Sequence, residues 1–190
     1  MNPGVTGLNY QTFYQNFCKG ISYEELEEVY KKKTNFTCTA AFSSLLFHEQ
    51  KGLRKGGFFM RSPMLDSFDL VDMAWAIVAD IACSIHEQVL LLAEITTNVS
   101  EKLYCCGGGF QSATLCQMLS DLTLRDVVLK KGFNQATVEG FVNICNESLG
   151  EINENSSVEP VIYKPRTDKL IHEYRPVWLE NRNRSNEIVG

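Results

Sequence analysis

Three consecutive glycines, Gly107-Gly108-Gly109, restrict the fold of this chain more than any other feature. The run before them, Lys102-Leu103-Tyr104-Cys105-Cys106, reads as a short buried strand. Ala113 to Leu122 reads as a helix with Leu115, Met118, Leu119 and Leu122 facing inward. Val127-Val128-Leu129 is a second short strand. Asn134 to Thr137 leads into another helix, with Val138, Phe141, Val142 and Cys145 on one face and Gly140 at a close-packing position. Strand, glycine turn, helix, strand, helix is an α/β unit. Glycines at such a corner let the main chain bend tightly and leave no Cβ in the way of a ligand. The amides that open the following helix favour an anion. A nucleotide phosphate or ribose is the natural guest, and a purely structural turn is the alternative. The spacing is not GxGxxG, because position 112 is Ser112, and no Gly-Lys-Ser/Thr of a phosphate loop follows.

Upstream, Tyr10, Phe13, Tyr14 and Phe17 recur at helical spacing after eight residues that read as a loose end, and Gly20 ends the stripe. Ser22 and Glu25 form a capping-box pattern for a second helix, which closes on Lys31-Lys32-Lys33, read as a solvated face. Phe36 to Phe47 is a short strand or a buried irregular segment, 49–57 is a loop, and Gly57 to Met60 is a strand end or turn. Asp66 or Ser67 is a candidate cap for the longest helix, Phe68 to Glu94, with His86 near its polar side. Beyond a polar stretch at 150–157, Pro160 to Pro165 is extended. Asp168 to Trp178 reads as a short helix broken at Pro176, and 1–9 and 181–190 read as frayed ends. With no long linker and no repeat, residues 1–190 are expected to form a single domain.

A formal charge of −5 argues against a basic groove for nucleic acid. No apolar run approaches membrane-spanning length, because Asp80, His86, Glu87 and Gln88 interrupt the best candidate, so no membrane partner is expected. The N-terminus has no secretory pattern, and seven cysteines without zinc-pair spacing suit free thiols in a reducing, cytoplasmic setting. No metal site is expected. A thiol enzyme built on Cys105 or Cys106 is a weak alternative, since no His lies near in sequence.

The run from Cys106 to Asp121 resembles the nucleotide-binding segment of the FGGY carbohydrate kinases, in which a glycine turn precedes a helix reading roughly Gln-x-x-Ala-Asp. Asp126-Val127-Val128 and Gln135-Ala136-Thr137-Val138-Glu139-Gly140 are similar to the strand and helix start that follow it in that family. The resemblance spans roughly residues 36 to 150 and is strongest over 105–150. Three positions depart from the pattern: the long helix lacks the usual Glu after Asp72-Met73-Ala74, Phe110 replaces a small residue, and Gln135 replaces an acidic one.

The resemblance implies a ribonuclease-H-like (actin-like ATPase) α/β domain, incomplete at its N-terminal strands. It implies the C-terminal, ATP/ADP-binding part of a kinase that phosphorylates a ketose or polyol hydroxyl, with catalytic residues unidentified. Gly107, Gly108 and Gly109 would let the main chain approach the nucleotide, Gln111 and Ser112 would bond adenine or ribose, and Gln135 and Ala136 would wall the purine. Mg²⁺ and the sugar would belong to the complete enzyme. The expected partner is an N-terminal kinase domain, or another copy through an exposed apolar face. The alternative is a non-catalytic interaction module that keeps the fold.

Overall fold

The computed structural model describes residues 6–43, 53, 55–64, 69–96, 100–149, 159–167 and 169–189. Its central element is α3, Leu70–Ile95, an uninterrupted helix because it contains no Gly or Pro and five alanines. Asp69 caps it: its side chain accepts from the Asp72 amide while Asp72 accepts from the Asp69 amide. The candidate caps Asp66 and Ser67 lie outside the described residues. Ala74 to Ser84 are all buried. By length and composition α3 would pass for a membrane span, with a mean hydropathy of 1.6 over its best window, which corrects the expectation that no run comes close. Most of that window (61%) is buried inside the protein, as befits a core helix. His86 is buried too, not on a polar side, with Nδ1 3.7 Å from Glu87.

The terminal helix, α6 (Leu170–Val189), contains Pro176 without breaking. In place of the expected break one helix runs on, through the stretch 181–189 that was expected to fray. Packing on either side of the proline supplies the reason. Tyr174, fully buried, donates its hydroxyl to the Ala76 carbonyl and accepts from the Ala40 amide, both at 3.1 Å. One turn on, Trp178 is fully buried and its indole N–H donates to Asp80 at 2.7 Å. Arg182 and Ser185 are buried further along. Asp80 also accepts from the Phe42 amide, the Ser43 amide and the Ser43 hydroxyl at 2.8–3.1 Å. The polar residue that interrupts the apolar run of α3 therefore joins three elements.

At the N-terminus α1 (Thr6–Phe17) starts earlier than the loose end expected there, and Gly20, with φ +96°, turns the chain. The Ser22–Glu25 capping box opens α2 (Tyr23–Lys31) as read from sequence. The basic end of α2 is only partly a solvated face: Lys31 pairs with Glu28 in solvent, whereas Lys33 is mostly buried, bound to Asp72 and 5.9 Å from the Trp75 ring.

The segment after α2 resolves as a strand, β1 (Cys38–Ala41), all four residues buried, paired antiparallel with β2 (Gly57–Met60). A separate sheet has the order β3-β4-β5. In it β3 (Lys102–Tyr104) runs parallel to β4 (Asp126–Leu129), with α4 (Ala113–Thr123) as the crossover, and β5 (Val161–Tyr163) is antiparallel to β4. Only the central β4 is buried. The expectation of a buried β3 is corrected: Lys102 and Tyr104 are exposed because among the described residues no strand lies beyond it. The last helix of the α/β unit, α5 (Ala136–Leu149), also differs from expectation. None of its residues is buried, and a Cβ at Gly140 would meet nothing within 4 Å.

Candidate functional site

Parallel pairing places the carboxyl ends of β3 and β4 at one edge of the sheet, where ligands bind in open α/β folds. Two turns meet there. After β3 the chain passes through Gly107 into a 3-10 turn, Gly108–Gln111. After β4 it passes through Gly132 into a second, Phe133–Gln135, which runs directly into α5. The Gly107 amide donates to the Phe133 carbonyl at 2.6 Å, so a main-chain bond ties the turns together. That tie brings the two halves of the predicted site, Gly107–Ser112 and Gln135–Ala136, to one corner.

Gly107 has φ +107° and ψ 159°, a region open essentially to glycine. A Cβ built on Gly107 or Gly108 would meet no described atom within 4 Å, and one on Gly109 only Leu115 Cδ2 at 3.9 Å. The corner is therefore bare, and a planar ligand can lie against the backbone. Gln111 and Gln135 are exposed beside it. Phe110 turns inward and packs against both apolar clusters of the core, so it fills space.

The start of α4 departs from expectation. Ser112 is the N-cap, and its hydroxyl accepts from the Leu115 amide at 3.1 Å. The same hydroxyl donates to Glu27 of α2 at 2.5 Å. Glu27 also accepts from the Thr114 amide at 2.9 Å and the Thr114 hydroxyl at 2.6 Å. The Cys116 amide bonds the Ser112 carbonyl. The amides of 114 to 116 thus all have partners within the protein, and Ser112 is committed to the cap. Glu27 was not anticipated. It lies 85 residues from Ser112 in a helix whose charges read as solvated, and no spacing signals the contact.

Other parts of the kinase-like motif hold the sheet. Buried Asp121 accepts from Gln117 at 2.8 Å and from the Arg166 amide at 2.7 Å. Gln117 also donates to the Lys164 carbonyl, which fastens α4 to the end of β5. Burial pushes the Cys105 thiol up to about 11, which leaves it protonated near neutrality and inert as a nucleophile. A depression of about 150 Å³ between α2, α4 and α6, lined in part by Lys33, Trp75 and Met118, contains none of the predicted residues. Among the described residues no three His, Cys, Asp or Glu side chains cluster as a metal site.

The fold is one shared with solved carbohydrate kinases. In solved structures the chain is similar to Plasmodium falciparum glycerol kinase with ADP (TM-score 0.72, 18% identity, 96% of this chain and 37% of that one). It is likewise similar to gluconate kinase from Lactobacillus acidophilus (TM-score 0.67, 16% identity, 93% of this chain and 37% of that one). Among curated proteins it is 35% identical over 167 residues to "Putative sugar kinase YoaC" of Bacillus subtilis, covering 87% of this chain. It spans about a third of that relative's length (34%). No family model matches the chain. The resemblance to the FGGY carbohydrate kinases drawn from the glycine turn stands.

Proposed function

We propose that this chain is the C-terminal, nucleotide-binding part of an ATP-dependent kinase acting on a sugar or polyol hydroxyl. The observation that carries this reading is the bare corner at Gly107–Gly109, facing Gln135 and Ala136 across a main-chain tie. The residues fit a purine nucleotide: glycine backbone on one side, the Ala136 end on the other, and the amides of Gln111 and Gln135 at the rim as donors and acceptors. Bound ATP would supply the phosphoryl group; Mg²⁺ and the base that activates the sugar hydroxyl would come with the rest of the enzyme. The seven free thiols agree with a reducing, cytoplasmic compartment. Amide shifts on titration with ADP are expected at residues 107–111 and 135–136. Their absence at millimolar ADP would count against the reading.

The partner is the remaining portion of the kinase. Val138, Phe141, Val142, Ile144 and Leu149 on α5 are 47–76% exposed, and β3 offers a free edge beside exposed Tyr104. An apolar surface of this kind usually marks a site of association. Phe141→Glu is expected to weaken a complex with the separately produced remainder of a YoaC-type kinase by at least about tenfold without changing the chain's own stability, because Phe141 contributes to no buried cluster. Equal affinity for both proteins, read by sedimentation, would place the docking face elsewhere.

A further inference from the structure

Glu27 stands where an α4-bound anion would stand. An N-terminal turn attracts phosphate through its free amides and the positive end of the helix dipole. Here the carboxylate takes the Thr114 amide, the Thr114 hydroxyl and the Ser112 hydroxyl at 2.5–2.9 Å, and Ser112 takes the Leu115 amide. The protein thus provides its own anion, from α2. Ser112 is also the residue that closes the glycine turn, its amide donating to the Gly109 carbonyl at 3.2 Å. The bare glycines and the filled helix end are consequently three to five residues apart. A ligand at the corner meets open backbone on one side and a fixed negative charge on the other.

We propose that Glu27 is a specificity-determining residue of this corner: its carboxylate excludes phosphate from the start of α4, so the turn takes the uncharged nucleoside end of the ligand and the phosphates point away from α4. The inference rests on the nucleotide reading above for its ligand, but the exclusion of anions is a property of the chain alone.

The test uses the isotope-labelled full chain, wild type and Glu27→Gln, which keeps the size and an acceptor oxygen. Inorganic phosphate is the first probe. In the wild type the amides of 113–115 are expected to stay unmoved at low-millimolar phosphate. In Glu27→Gln they are expected to titrate, since a like charge in contact with the site has been removed. Adenosine and ADP are the second probes. The wild type is expected to bind them within about threefold of each other, and the variant to favour ADP by roughly tenfold more than the wild type does. Phosphate binding at 113–115 in the wild type, or identical phosphate responses in the two proteins, would overturn the proposal. If Glu27→Gln were unfolded, Glu27→Ala would take its place, and the wild-type phosphate arm decides by itself. Failure of both proteins to bind adenosine and ADP would sink the nucleotide reading while leaving the phosphate arm to judge Glu27.

Discussion

Trp178→Ala is expected to destabilise the protein by about 4 kcal/mol or more, measured as a shift in urea midpoint at constant m-value. Two losses combine. A fully buried indole leaves a cavity in the core, and Asp80 loses its donor at 2.7 Å. Trp178→Phe separates them: it keeps most of the ring and removes only the N–H, and about 1–3 kcal/mol is expected. The pH dependence carries a definite sign. Burial pushes the Asp80 carboxyl above its ordinary value, against the hydrogen bonds from Trp178, Ser43 and Phe42 that favour ionisation. A carboxyl raised in the folded state adds stability at low pH, where both states hold the proton, and that contribution is lost as pH rises through the folded value. Removing the indole donor raises it further. The cost of Trp178→Phe should therefore be larger near neutrality than near pH ~4. A cost independent of pH would show that Asp80 does not ionise in the fold.

Gly107→Ala is expected to lose about 1–3 kcal/mol from backbone conformation alone, because alanine at φ +107° is strained whatever space surrounds it. It should also abolish the ADP response, since the amide that reaches Phe133 would shift. Gly108→Ala is the counterpart. Its φ is not positive, and its Cβ meets nothing described within 4 Å, so stability should change by no more than about 1 kcal/mol, while the new methyl stands where a ligand would lie. If Gly108→Ala binds ADP as well as the wild type, the ligand does not rest on this turn.

Much of the fold was legible because it rests on local rules. The aromatic stripe of α1, the capping box of α2, and the inward Leu115, Met118, Leu119 and Leu122 of α4 are set by spacing and side-chain chemistry within one turn or two. What was missed depends on contacts across many residues. Pro176 sits inside α6 because Tyr174 and Trp178 are anchored 98 residues away, an energy invisible to a propensity rule. The buried reading of β3 and the packed reading of α5 followed apolar content correctly, but the surfaces that would cover them are not among the described residues. At the candidate site, the glycines, Gln111, Gln135 and Ala136 lie in two turns that a main-chain bond joins. The Ser112 hydroxyl, expected at the ligand, caps α4 and donates to Glu27 of α2, a contact no spacing signals.

The bond from Gly107 to Phe133 has a bearing on ancestry. A cleft whose width is fixed by two peptide groups does not depend on which side chains surround it. Neighbouring positions are then free to drift over evolutionary time while the opening keeps its shape. Such a corner can outlast the replacement of most of the side chains around it.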